Sequence, residues 1–205
     1  MNKHNRHIHV EDHTEKKLII SVLLNLLISI AEIAGGLLSG SLSLISDSLH
    51  NLSDTLSLAI SYTARVISKK GVTPEKTFGY KRAEIIAAFI NLLILSIISL
   101  FMFKEAFERL FYPRAIRGEV MLIVAAAGFA ANVVSAMLLY RSSRENINVR
   151  SAFLHILSDA LSSVGVITGG ILIITANLYI IDSILTFVVG AYVLITSWKI
   201  LMEII

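Results

Sequence analysis

The chain has 205 residues, 55% of them hydrophobic and only 16% charged, with 18 Lys and Arg against 15 Asp and Glu. A soluble domain is nearer a quarter charged because its surface must be wetted, so a water-facing globule is excluded and the chain belongs in a bilayer. With no cysteine there are no disulfides, thiolate metal sites or iron–sulfur clusters, and a net charge of +3 is too slight a surplus for a nucleic-acid partner.

Residues 1–17 read as a polar tail in which His4, His7, His9 and His13 stand among Glu11, Asp12 and Glu15. Two readings stay open for it, a segment that collects metal and a solvated tail with incidental histidines. Six apolar stretches follow, Leu18–Leu38, Leu42–Ile67, Ala83–Phe107, Val120–Tyr140, Ser151–Thr175 and Leu178–Met202. Each has the roughly 20 residues a helix needs to cross a hydrocarbon core about 30 Å thick. The first is long and followed by others, and no A-x-A-like cleavage site precedes a soluble remainder, so it reads as a retained span and not a secretory signal. Residues 18–205 are therefore expected to form an all-α integral membrane domain of six transmembrane helices, with no room for a separate soluble domain.

Orientation follows from the basic residues of the connections. Lys3, Arg6, Lys16, Lys17, Arg65, Lys69, Lys70, Lys76, Lys81, Arg82, Arg141, Arg144, Arg150 and Lys199 lie on one side; Lys104, Arg109, Arg114 and Arg117 lie on the other. That imbalance predicts that both termini are cytoplasmic. Tyr62, Tyr80, Tyr140 and Trp198 fall at the cytoplasmic boundary, with Tyr112 and Tyr179 at the opposite one. Gly36 and Gly40, Ala125 to Gly128, and Gly165 with Gly169 mark places where backbones pack closely, since in lipid no hydrophobic force drives helices together.

Spans two and five hold polar residues that an apolar helix should not. The second carries Ser46, Asp47, His50, Asn51, Ser53, Asp54, Thr55 and Ser57, the fifth His155, Ser158, Asp159, Ser162 and Ser163. An ionisable group at a helix centre costs about 2.5–3.5 kcal/mol on insertion scales, so Asp47, Asp54 and Asp159 require pairing, water or a cation. His50 and Asp54 are four residues apart, as are His155 and Asp159, so each pair presents an imidazole nitrogen and a carboxylate oxygen on one helix face. Two such pairs face to face supply the N2O2 set of tetrahedral Zn²⁺, whereas Mg²⁺ or Ca²⁺ would want oxygens alone. The alternative is that the pairs neutralise each other and glue two spans by hydrogen bonds. Asp47, one turn before His50, is a possible accessory group: a third oxygen ligand, an entry residue or a proton site.

Leu49 to Ser57 reads L-H-N-L-S-D-T-L-S and Leu154 to Ser162 reads L-H-I-L-S-D-A-L-S, seven of nine positions agreeing at an offset of 105 residues. Three helices separate the equivalents, so the repeat is inverted across the membrane, as in many secondary transporters with a site between pseudo-symmetric halves. Antiparallel packing would set Asp54 beside His155 and His50 beside Asp159. The proximity of His155 to Arg150 hints that the site lies on the cytoplasmic side of the midplane.

At these residues the chain resembles the cation diffusion facilitator family of six-span divalent-metal/proton antiporters. The resemblance runs from about Leu18 to Ile205 and rests on Gly35 to Asp54 (GGLLSGSLSLISDSLHNLSD), Phe78 to Glu84 (FGYKRAE) and the His155/Asp159 segment. It implies that His50, Asp54, His155 and Asp159 form the transport site, that spans one, two, four and five make a bundle with three and six alongside, and that Zn²⁺ is the first substrate, with Cd²⁺ and Co²⁺ as further ones. No prosthetic group is expected. Most members continue into a cytoplasmic, dimerising, metal-binding domain; this chain stops at Ile205, and a homodimer is expected even so. The connection Arg141 to Val149 lacks the histidines of many eukaryotic relatives, which leans toward a bacterial inner membrane.

The expected mechanism is alternating access. Metal displaces protons from the ligands on the inside, and protons displace metal on the outside, histidine being suited by its reference pKa near 6.5. Glu32, Asn25 and Asn132 are second-tier polar groups that line the cavity, orient ligands or simply pack; Gly79, Arg82 and Glu84 read as interfacial structure with a role in gating. Asp182 reads as a cap on its own helix, span six, in the headgroup region. A passive metal channel and a static zinc-binding structural or sensor module remain as alternatives. An enzyme is the least supported reading, since no nucleophile–base set or phosphate loop stands in the sequence.

Overall fold

The computed structural model describes residues 3–68, 81–144 and 147–204. Among them are six long helices and no strand: α1 Lys3–Ser39, α2 Leu42–Ser68, α3 Lys81–Phe111, α4 Gly118–Tyr140, α5 Ile147–Ala176 and α6 Ile180–Ile204, with a short 3-10 turn at Ser142–Arg144. Phe78 to Tyr80 lie outside the described residues, as do the side chains of Lys81 to Glu84, of Ser57, of Tyr62 and of the four N-terminal histidines.

The helices match the expected spans to within a few residues, except at the start of α1. That helix runs back through the segment expected to be a separate tail, because no Gly or Pro precedes Gly35 to break it. Its far end is broken on purpose. Gly40 sits at φ +77°, a left-handed position that only glycine takes without strain, and its N–H returns to the Gly36 carbonyl at 2.8 Å. Pro113 interrupts the chain after α3, and Asn177, at φ 54°, turns it between α5 and α6.

Among the described residues, five stretches are long and apolar enough to cross a membrane: Lys17–Ser39, Phe89–Phe111, Gly118–Tyr140, Val149–Ala176 and Ile180–Lys199. The helix missing from that set is α2, whose middle holds Asp47, His50 and Asp54. It escapes lipid by packing against α1, α3, α5 and α6, so its polar residues meet protein instead of hydrocarbon.

Contacts α1–α2, α2–α5, α5–α4 and α4–α1 close a ring of four, and α3 pairs with α6 beside α2, the arrangement the resemblance implied. Phe103 and Phe187 stack at 5.3 Å in the α3–α6 seam, where Gly190 lets the Phe103 ring come close. The ring is polar inside and apolar outside. On α1, Ser21, Asn25, Ser29 and Glu32 recur every three or four residues on the buried side, while Ile19, Leu23, Leu27 and Ile30 are exposed. On α4 the buried stripe is Met121, Ala125, Gly128, Asn132, Ser135, Ala136 and Leu139. Apolar clusters stand toward the two ends of the ring, Leu44, Met121, Val166 and Ile173 in one and Leu139, Val149 and Ile156 in the other.

Gly36 sets the closeness of α1 and α2. A Cβ there would stand 2.5 Å from Ile45 Cγ1 and 3.1 Å from the Ile45 backbone nitrogen. Gly36→Ala is therefore expected to cost about 1–3 kcal/mol through overpacking at the turn. Thermal unfolding in detergent measures this, and an unchanged midpoint would mean that the turn relaxes freely.

Candidate metal site

Between α2 and α5 the two His/Asp pairs meet. Asp54 Oδ2 lies 3.5 Å from His50 Nε2 on its own helix and 3.4 Å from His155 Nε2 across the interface. His155 Nε2 in turn stands 3.7 Å from Asp159 Oδ2. The expected juxtaposition of Asp54 and His155 is thus present, and one carboxylate oxygen serves both imidazoles.

These separations are long for hydrogen bonds, whose N···O distances run about 2.7–3.2 Å. They are close to the donor–donor edge of a tetrahedral zinc site, about 3.3–3.5 Å for metal–ligand bonds of 2.0–2.2 Å. The atoms His50 Nδ1, His155 Nε2 and Asp159 Oδ2 are themselves shielded from solvent and, among the described residues, have no hydrogen-bond partner. Polar atoms left so in a low-dielectric interior are costly unless something else satisfies them, and a divalent cation fits donors of this kind. Among the described residues, no three His, Asp or Glu side chains converge on one point as a closed cage. The contacts form an open chain, His50–Asp54–His155–Asp159.

That chain borders a cavity of about 580 Å³ lined by His50, Asp54 and His155 together with Ser21, Asn25, Thr55, Ser151, Tyr192 and Ser197. Its lining draws on the middle of α1, from Leu18 to Asn25, the start of α5, the end of α4 and the second half of α6, so it runs toward the end of the bundle where those segments gather. Asp54 and His155 are about one-third exposed in it, whereas Asp159 is buried at 4% exposure. Asn25 donates to Thr55 Oγ1 at 3.4 Å, tying α1 to α2 at the cavity wall. Asn91 of α3 donates to Ser53 Oγ at 2.9 Å and holds α2 from the other side.

Asp47 is not part of the cavity lining. It is buried, accepts a hydrogen bond from Ser162 Oγ, and keeps Oδ2 without a partner. Two participants carried no sequence signal sufficient to single them out. Tyr192, one tyrosine in an apolar helix, sets its ring edge-on to His50 at 5.5 Å. Ser162 was visible as a polar residue three after Asp159 and as the last position of the repeat, with nothing to tie it to Asp47.

Asp182 corrects the expectation that it caps its own helix. It is fully buried and caps α2 instead. Its Oδ2 accepts from the Leu42 N–H at 2.8 Å, and its Oδ1 accepts from the Ser43 N–H at 3.1 Å and from the Ser41 and Ser43 hydroxyls at 2.6 Å each. Ser41 Oγ takes the Leu44 N–H at 3.2 Å, so three otherwise orphaned donors of the α2 N-terminus are satisfied. The α1–α2 turn is pinned again by Arg109 of α3, whose Nη1 donates to the Gly40 carbonyl at 2.6 Å.

Residues 18–205 match the family described as the cation efflux transmembrane domain. The zinc transporter ZitB of Pectobacterium atrosepticum is 42% identical over 198 residues, 96% of this chain and 62% of that protein. The metal cation efflux system protein CzcD of Cupriavidus metallidurans is 38% identical over 196 residues, 94% of this chain and 62% of its own length. A cadmium, cobalt and zinc/H(+)-K(+) antiporter of Bacillus velezensis is 39% identical over 170 residues, 82% of this chain and 54% of that protein. The chain thus spans about three-fifths of the length of the curated relatives it matches.

Proposed function

The chain belongs to the cation efflux family, and from that premise we propose that it exports Zn²⁺ from the cytoplasm in exchange for protons, with Cd²⁺ and Co²⁺ as further substrates. It is a multi-pass protein of the bacterial inner membrane. In this reading α2 is a sixth span, both termini are cytoplasmic, and the protein works as a homodimer. The transport ligands are His50, Asp54, His155 and Asp159.

The observation that carries the proposal is the Asp54 carboxylate shared by His50 and His155 beside an open cavity. Such a half-open chain of donors suits a cargo that enters and leaves. A structural zinc site would close all four ligands around the ion, which argues against a static zinc module. Alternating access would rock α1, α2, α4 and α5 so that the same ligands face first one side and then the other.

Protons and metal compete because zinc binds only deprotonated ligands. Zinc affinity is therefore expected to rise with pH, as the ligands give up their protons. Zinc flux into proteoliposomes under an imposed pH gradient tests the exchange. Gradient-dependent, saturable flux is expected; flux indifferent to the gradient would mean a channel, and none at all from folded protein would leave a static site.

A further inference from the structure

One turn beyond the quartet, on the side away from the cavity, the ring of four helices encloses a second set of polar groups. Asp47 lies three residues before His50 on α2, and Ser162 lies three after Asp159 on α5, each about 4.5 Å along the helix axis. Glu32 of α1 reaches the same place. It is 1% exposed and comes up to Asn51 of α2, the residue that follows His50. Gly128 of α4 makes room for it, since a Cβ at that position would strike Glu32 Oε1. Asn132, four residues on and therefore on the same face of α4, is also buried.

These groups are left unsatisfied. Among the described residues, Glu32 Oε2, Asp47 Oδ2, both amide atoms of Asn51 and Asn132 Nδ2 have no hydrogen-bond partner. Among the described residues no Lys or Arg is buried, so the protein offers no cation of its own at this depth. Fully buried ionised carboxylates in such surroundings are costly unless they take up a proton or a cation joins them.

We propose that Glu32, Asp47 and Asn51, with Ser162, form a second divalent-cation site made only of oxygen ligands, on the far side of the quartet from the open cavity. Two carboxylates are neutralised by one divalent ion, whereas a monovalent ion leaves a net negative charge in the bundle. Oxygen ligation selects hard ions such as Mn²⁺ or Mg²⁺ and holds zinc less tightly than the mixed imidazole–carboxylate quartet. Its place as a weaker station on the way out rests on the quartet's being the transport site; the existence of the site does not.

The test is a Mn²⁺ titration of the purified chain in detergent, after one equivalent of Zn²⁺ has filled the quartet, with free Mn²⁺ followed by its paramagnetic resonance. One Mn²⁺ bound per wild-type chain is expected, weakened more than tenfold in Glu32→Gln and Asp47→Asn, with the tight zinc equivalent retained. Gly128→Ala, which drives the Glu32 carboxylate aside, should weaken it as well. Mn²⁺ left entirely free by zinc-loaded wild type overturns the proposal, whatever the variants do, and so does Mn²⁺ binding unchanged in Glu32→Gln and Asp47→Asn. A failure of the quartet reads differently: the tight zinc equivalent would then survive His155→Ala, while the Mn²⁺ result stood by itself.

Discussion

Asp54→Ala is expected to weaken zinc binding by more than about 100-fold, since removing even an outer-shell partner of a metal ligand commonly costs 10–100-fold. Asp54 is the link through which the two helices share the site, with its Oδ2 at 3.5 Å from one imidazole and 3.4 Å from the other. Without it His50 and His155 have no common anion, and the remaining acid, Asp159, contacts His155 alone in the present arrangement. The fold should survive, because Asp54 is partly exposed to the cavity and, among the described residues, holds no cap or backbone group in place. Calorimetric zinc titration paired with a thermal melt separates the two effects. An affinity within about threefold of wild type, on a folded protein, would remove Asp54 from the site and with it the case for the quartet.

The meeting of the two His/Asp pairs was legible because its signals are local or repeated. Spacing of four residues puts a histidine and an aspartate on one helix face, and the nine-residue repeat at an offset of 105 ties span two to span five. The six helices were legible for a similar reason, since length and apolar composition are read one segment at a time. What escaped depends on partners far apart in sequence. Asp182 looked like an end-cap for α6 because it lies in that helix's first turn, yet its partners are Ser41, Leu42 and Ser43, some 140 residues away. Tyr192 escaped for the same reason, as nothing in an apolar helix says which aromatic will meet a histidine. Asp47 was seen, but not its side: only the packing of α5 on α2 shows it turned toward Ser162 and away from the cavity.

The polar interior also explains why α2 alone fails as an apolar span. A lipid-exposed helix with Asp47, His50 and Asp54 at its middle would be expensive to insert, so α2 depends on neighbours that surround it. Its register against those neighbours has to be fixed if the donors of α2 and α5 are to meet at the distances seen. The fixing is done at the N-terminal end of α2, by the left-handed turn at Gly40, by Arg109 and above all by Asp182.

Asp182→Ala is accordingly expected to be the most destabilising single change outside the core, at about 3 kcal/mol or more. Hydrogen bonds to a charged group are worth about 1.5–3 kcal/mol each, and helix caps about 0.5–2, and these do not simply add. The variant leaves the Leu42 and Ser43 N–H groups and two serine hydroxyls without their acceptor in a fully buried place, and it removes the anion that complements the positive end of the α2 dipole. Asp182→Asn should lie between. Its amide oxygen still accepts on one side, but its NH2 then faces the Leu42 N–H, donor against donor. Thermal unfolding should therefore rank wild type above Asn and Asn above Ala. Because the cap sets the height of α2, zinc flux should fall in the same order while equilibrium zinc binding at the quartet falls less. Equal stability of all three proteins would show that water replaces the carboxylate at the cap, and that α2 is held in register by its packing alone.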